Sequence, residues 1–84
     1  MELKDTIRMM ESLDYKERFV AEYCQLVIRK NKLAAVLEHW DKGDFRFIPT
    51  CPRSTYDLQI RSMADYIAIL EARAVMEGVA LPEM

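Results

Sequence analysis

The chain has 84 residues, 51% of them hydrophobic and 31% charged, with only two glycines and three prolines. This composition excludes a disordered, collagen-like or low-complexity chain, and the length is that of one small domain. The formal net charge of −2 argues against binding to long nucleic acid, whose phosphates require a basic surface. No apolar run approaches the roughly 18 residues of a membrane span. We therefore expect a cytoplasmic protein with no membrane partner.

The spacing of apolar residues predicts three helices, at about residues 2–11, 15–41 and 55–77, with a loop at 42–54. In the short first helix, Leu3, Ile7 and Met10 form one apolar stripe. The second helix is predicted to start at a capping box of Asp14 and Glu17 and to end before a glycine at position 43.

Both long helices carry a coiled-coil-like seam, because their core positions alternate by four and three residues. The seam of the second helix consists of Phe19, Tyr23, Leu26, Lys30, Leu33, Leu37 and Trp40, and a parallel stripe of Val20, Cys24, Val27 and Ala34 widens it. The third helix, with capping-box spacing at Ser54 and Asp57, has a seam of Tyr56, Ile60, Met63, Ile67, Leu70 and Ala74. A lysine in a core position typically specifies register or oligomeric state, and a polar cavity between subunits is the alternative for Lys30.

We predict an all-α fold in which residues 1–84 form a single helical domain, an antiparallel hairpin of two long helices with a short N-terminal helix. The loop carries Phe45, Phe47 and Ile48, and we expect it to fold back over the helix ends as an apolar lid. Two rods cannot enclose a core, so the remaining apolar positions predict a homo-oligomer. These positions are Val20, Cys24 and Val27 on the second helix and Tyr66, Ile69 and Met76 on the third.

Catalytic and metal-binding patterns are weak in this sequence. His39 has no nucleophile or metal-ligand partner at a suitable spacing, and Cys24 and Cys51 lack C-x-x-C spacing. The paired carboxylates lie at surface-like spacings beside lysines and arginines. We therefore expect no enzyme, no metal and no cofactor, and two reduced cysteines.

Two segments have the residue types that bind small anions. At the start of the third helix, Arg53, Ser54 and Thr55 combine a guanidinium, two hydroxyls and free backbone amides at the positive end of the helix dipole. The alternative interpretation is a simple N-cap beside a solvated arginine.

The second anion-binding candidate is a face of the second helix. Its cations could hold phosphates while its aromatic rings stack on a base. The candidate residues are Tyr15, Arg18, Tyr23, Arg29 and Lys30, with Lys32 beside them. The alternative is a salt-bridged surface with half-buried tyrosines.

The segments LKDTIRMMESLDYKERFVAEYCQL and FIPTCPRSTYDLQIRSMADYIAILEARAVMEG resemble small all-helical proteins of gut bacterial phages and prophages, the type found in crAss-like phages. The resemblance covers nearly the whole chain and is most specific in TCPRSTYDLQ and YIAILEARA, but it implies no biochemical activity. A fainter similarity, in the turn that opens the third helix, is to the helical-hairpin domain of phage sponge proteins that counter CBASS and Thoeris immunity. That similarity implies oligomers that bind cyclic nucleotide signals without cleaving them, with Arg53, Ser54 and Thr55 holding phosphates.

Our first hypothesis is thus a phage-encoded counter-defence protein that sequesters a cyclic nucleotide or a related signalling molecule in the bacterial cytosol. The alternatives are a protein inhibitor of a defence effector such as a CRISPR nuclease, and a structural or scaffold oligomer of a phage.

Overall fold

The computed structural model describes residues 1–45 and 47–84. Its helices are a 3₁₀ turn at Leu3–Thr6, α1 at Ile7–Met10, α2 at Tyr15–Asp41 and α3 at Arg53–Glu77. No strand occurs in the part of the chain that the structure describes. Position 46 of the predicted loop lies outside the described residues.

The two long helices form an antiparallel hairpin, since the beginning of α2 contacts the end of α3. Tyr15 at the start of α2 hydrogen-bonds Glu77 at the end of α3, and Asp41 at the end of α2 pairs with Arg53 at the start of α3. The seam of each helix faces the other. Its buried members are Phe19, Tyr23 and Leu37 on α2 and Leu70 and Ala74 on α3, and the rest are half-buried.

Lys30 lies half-buried in the middle of the α2 seam. A half-buried lysine keeps its ammonium in water while its methylene stem covers apolar surface. The hairpin therefore accommodates the lysine in a core position without a charged partner among the residues that the structure describes.

Helix starts differ from the predicted capping boxes. Asp14 accepts a hydrogen bond from the amide of Lys16 at 3.0 Å, one residue earlier than the predicted Glu17. The third helix begins at Arg53, two residues before the predicted Thr55, and Pro52 is its N-cap. Proline at this position supplies a fixed φ of −60° and lacks only an N–H that the helix does not need. Ser54 is therefore inside the first turn and is not the cap.

The N-terminal segment covers a face of α2 that was predicted to be free. Thr6 is fully buried, its hydroxyl donates to the carbonyl of Leu3 at 2.7 Å, and it accepts from the Gln25 amide at 3.0 Å. Cys24 and Val27 are consequently buried. The prediction that this stripe is exposed for self-association is wrong, because the chain's own N-terminal turns pack on it.

The other end of the core is closed by the segment that follows α3. Gly78 has a φ of +69°, and the amide of Val79 donates to the carbonyl of Ala74 at 2.8 Å, as in a Schellman motif. This turn directs Val79 into the core and Leu81 against it. The ammonium of Lys16 also donates to the Gly78 carbonyl at 3.1 Å.

Replacing the glycine at this turn tests its role. We expect Gly78→Ala to lower the free energy of unfolding by about 1 kcal/mol, because a side chain strains the left-handed conformation. Gly78→Asn is the control, and it is expected to cost less because asparagine tolerates this conformation better. Chemical denaturation measures both. Equal losses for the two variants would contradict a conformational origin.

The loop folds back over the hairpin end, as expected for an apolar lid. Trp40 is the centre of an aromatic cluster, with ring centroids 5.6 Å from Phe45, 6.1 Å from Phe47 and 5.9 Å from Tyr56. Ile48 does not join this lid, because its side chain is exposed.

Candidate functional site

A hydrogen-bonded network lies where α2 begins and α3 ends. The Tyr15 hydroxyl donates to Glu77 at 2.8 Å, and it accepts from Arg73 at 2.7 Å. Arg73 also donates to Glu77 at 2.8 Å and lies 5.0 Å from the centroid of the Phe19 ring. The hydrogen bond to Glu77 raises the pKa of Tyr15, and the bonds from Tyr15 and Arg73 lower the pKa of Glu77. The network therefore contains a neutral hydroxyl, a carboxylate and a guanidinium in fixed positions at pH 7.

A second tyrosine–carboxylate pair lies further along the hairpin on the same side. The Tyr66 hydroxyl of α3 donates to Glu22 of α2, and this bond raises the pKa of Tyr66. Both Tyr15 and Tyr66 are nonetheless exposed over much of their surface. Each ring is anchored at its hydroxyl and still presents apolar surface to solvent, which is the arrangement that stacks on a nucleobase.

Two arginines of α2 extend this surface. Positions 15, 18, 22 and 29 follow helical spacing, so their side chains lie on one face. Arg18 donates to the carbonyl of Ser12 at 2.7 Å and is exposed. Arg29 is exposed and has no hydrogen bond or ion pair with another described residue. We call this surface the tyrosine face; it comprises Tyr15, Arg18, Glu22 and Arg29 of α2 with Tyr66, Arg73 and Glu77 of α3.

The charge of the tyrosine face differs from that of the chain. It holds three arginines and two glutamates, a formal charge of +1, whereas the whole chain carries −2. Both glutamates already accept from tyrosine hydroxyls. An anionic ligand would therefore meet arginine nitrogens and tyrosine rings on this face.

The arginine at the start of α3 is already engaged. Arg53 donates from both terminal nitrogens to the Asp41 carboxylate and from Nε to Asp57 at 3.1 Å. Its guanidinium also lies 5.5 Å from the centroid of the Trp40 ring. These contacts lower the pKa of Asp41 through the hydrogen bond from Arg53. Arg53 is thus a clamp that joins the end of α2 to the start of α3, and its neighbours Ser54 and Thr55 are exposed in the first turn of α3.

The structure divides the sequence-predicted site residues between distant regions of the chain. Tyr15 and Asp41 are separated by 26 residues of α2, or about 39 Å at 1.5 Å per residue. Arg53, Ser54 and Thr55 therefore cannot share one ligand with Tyr15 and Arg18 in the same chain.

Tyr23 is not part of the tyrosine face. It is buried, and its hydroxyl donates to Glu71 at 3.0 Å. Burial and this bond raise the pKa of Tyr23. The structure accordingly brings Tyr15, Arg18 and Arg29 onto one face and leaves Tyr23 in the core.

Sequence reasoning missed the contribution of α3 to this face. Tyr66, Arg73 and Glu77 lie at helical spacing, and the four-residue interval between Arg73 and Glu77 is a readable pairing signal. Nothing in the sequence relates them to Tyr15, because the partners are 62 positions apart.

A cleft beside the end of the hairpin is unsuited to an anion. It has a volume of about 530 Å³ and lies between the hairpin and the C-terminal segment. Glu71 and Glu83 line it together with Tyr23 and apolar side chains, and no lysine or arginine does. An anionic ligand is therefore better matched by the tyrosine face than by this cleft.

The described part of the chain contains two free thiols and no cluster of metal ligands. No group of three or more histidine, cysteine, aspartate or glutamate side chains there could hold a metal ion. Cys24 is buried, which raises its pKa, and Cys51 is exposed; both are free thiols. Among residues 1–45 and 47–84, no helix is long and apolar enough to cross a membrane.

Comparison with known proteins gives one match. The model of the Sequestin family matches residues 13–76, which is 64 of the 84 residues. These residues contain α2, the loop and α3 up to its last residue, and so the whole tyrosine face except Glu77. No curated protein and no solved structure matches the chain. Because the matched region covers about three quarters of its length, the chain belongs to the Sequestin family.

Proposed function

We propose that this protein binds and sequesters a small anionic nucleotide signal, a cyclic nucleotide or a related molecule, and does not cleave it. The family name supports a sequestering role and a binding protein in place of an enzyme. The observation that carries the choice of ligand is the tyrosine face, where two anchored tyrosine rings lie beside arginines. The resemblance to phage proteins supports a counter-defence role in the cytosol of a bacterial host.

The chemistry of the tyrosine face matches the two parts of such a ligand. Guanidinium groups bind phosphates, and Arg29 is available to do so because no described residue pairs with it. Bases would stack on the half-exposed rings of Tyr15 and Tyr66, whose hydroxyls donate hydrogen bonds to glutamates. Binding without cleavage is the part of the proposal that the family name supports.

A titration with cyclic dinucleotides, cyclic trinucleotides and cyclic ADP-ribose tests this function. We expect calorimetry to detect binding of one class, and chromatography of the released ligand to show it unchanged. Arg29→Ala is expected to weaken binding at least tenfold, since a charge-assisted contact contributes about 1.5–3 kcal/mol. Because Arg29 has no hydrogen bond or ion pair with a described residue, circular dichroism and melting temperature should not change.

The matched control removes a different exposed cation. Lys42 lies at the opposite end of the hairpin, where it pairs with Glu38 at 3.1 Å. Lys42→Ala should leave affinity within twofold of the unaltered chain. Equal weakening by both substitutions would indicate a general charge effect and contradict a site at the tyrosine face. If folded protein binds none of these ligands, the proposal is wrong and a protein inhibitor becomes the better hypothesis.

A further inference from the structure

The cleft beside the end of the hairpin has the size and the composition of a small-molecule site. Its volume of about 530 Å³ lies within the range of about 300–1,000 Å³ in which such sites usually fall. One wall belongs to α3, and the other belongs to the segment after Gly78, which Val79 and Leu81 hold against the core. The cleft is lined by Tyr23, Glu71, Ala74, Val75, Val79, Leu81, Pro82, Glu83 and Met84.

The charged groups of this cleft are both negative. Glu71 lies on the α3 wall and Glu83 on the opposite wall, and no lysine or arginine is among the described lining residues. The hydroxyl of Tyr23, a side chain only 7% exposed, donates to Oε2 of Glu71 at 3.0 Å and so fixes this carboxylate at the cleft. A cation that enters the cleft is therefore attracted from both walls.

Both carboxylates have unused capacity to accept hydrogen bonds. Oε1 of Glu71 accepts none from a described residue, and Glu83 has no hydrogen bond or ion pair with the described part of the chain. A carboxylate offers about four lone-pair sites, and an ammonium group carries three donors. Each glutamate can therefore receive an ammonium group without losing a contact that the hairpin already makes.

The surface between the two carboxylates is apolar, which favours an organic cation over a metal ion. Hard metal cations take six or more oxygen ligands, and no cluster of three or more metal-binding side chains occurs among residues 1–45 and 47–84. An aliphatic chain with an ammonium group at each end meets both requirements of the cleft. Its methylenes cover apolar side chains, and its two charges reach the two walls. The apolar side chains are Ala74, Val75, Val79, Leu81 and Met84.

We propose that this cleft binds a linear aliphatic diamine of the polyamine class, with one ammonium group on Glu71 and the other on Glu83. The site shares no residue with the tyrosine face. The proposal is therefore independent of the proposed nucleotide ligand, and either can fail without the other.

Calorimetry of the full chain with straight-chain diamines of three to six carbons tests the site. We expect 1,4-diaminobutane or a neighbour in this series to bind at least tenfold more tightly than butylamine, because the monoamine lacks one charge-assisted contact. Absence of diamine binding, or equal affinity for butylamine and the diamines, would overturn the proposal.

The contribution of each carboxylate is tested by removing its charge. Glu71→Gln and Glu83→Gln should each weaken diamine binding at least tenfold and remove the preference over butylamine. Glutamine at position 71 can still accept from Tyr23, so circular dichroism should show an unchanged fold. Glu38→Gln is the control, since Glu38 is 15 residues from Tyr23 along α2, about 22 Å at 1.5 Å per residue. Equal weakening by all three substitutions would indicate a general charge effect and contradict the site.

Nuclear magnetic resonance locates the bound diamine. On titration with the tightest diamine of the series, the backbone amide signals of residues 71–75 and 79–84 should shift. The signals of Arg18 and Arg29 on the tyrosine face should not. Shifts confined to residues outside the cleft would overturn the assignment.

Discussion

Leu70→Ala is expected to lower the free energy of unfolding by about 3 kcal/mol. Leu70 is 0% exposed and lies in the cluster where α2, α3 and the residues after Gly78 meet. Removing its branched side chain loses the transfer free energy of the buried methyl groups and leaves a cavity that two helices and a short segment can only partly fill. For a domain of 84 residues, the stability at risk is a large part of the typical 5–15 kcal/mol.

The matched control is a leucine whose side chain is fully exposed to solvent. Leu13, in the turn before α2, is 100% exposed, so Leu13→Ala should change the free energy of unfolding by less than about 0.5 kcal/mol. Urea denaturation at one fixed protein concentration measures both, because a dimer would add concentration dependence. Similar losses for the two leucines would show that the Leu70 site is not the folding core.

Arg53→Ala is expected to lower the melting temperature by a few degrees and to leave ligand affinity unchanged. The substitution removes the hydrogen bonds to Asp41 and Asp57 and the contact with the Trp40 ring. It also leaves two carboxylates near each other without their common cation. The sequence alone predicts that this arginine binds phosphate, whereas its hydrogen bonds to Asp41 and Asp57 favour a structural role.

The clamp also predicts a pH dependence with a definite sign. Arg53 lowers the pKa of Asp41 from its ordinary value of 3.8. The stabilisation is therefore complete above that value and is lost as the pH falls through the lowered pKa. Thermal melts from pH 7 to pH 2 should show the difference between Arg53→Ala and the unaltered chain shrinking only at the acidic end.

Lys42→Ala is again the control for this experiment. Its ion pair with Glu38 is within one helix and exposed at both ends, so the melting temperature should change little. If Arg53→Ala melts like Lys42→Ala and loses ligand affinity, Arg53 is a ligand residue and not a clamp.

Periodicity predicted much of the fold because helix formation is local. The seams of Phe19, Tyr23 and Leu37 on one helix and Leu70 and Ala74 on the other are the residues that the hairpin buries. Their four-three spacing is imposed by the 3.6-residue turn, so it is visible in the sequence. The limits of the helices were harder to predict, since Pro52 and Asp14 cap by geometries that spacing alone does not distinguish.

The candidate site could be predicted only on one helix. Tyr15, Arg18 and Arg29 share a face of α2 because of helical spacing, and that is a property of the sequence. Tyr66, which donates to Glu22, and Arg73, which donates to Tyr15, come from a helix more than 40 positions later. The distance between Arg53 and the tyrosine face likewise depends on the direction in which α3 packs against α2.

What the sequence determined by itself is a pair of long amphipathic helices with a loop between them, since each depends on contacts within a few residues. The tertiary structure alone decided which polar groups meet. It brought Asp41 to Arg53, Glu77 to Tyr15, and Thr6 to the face of α2 that carries Cys24. The physical reason is that the pKa and the hydrogen bonds of a side chain depend on its neighbours in space. In an antiparallel hairpin those neighbours come from distant parts of the chain.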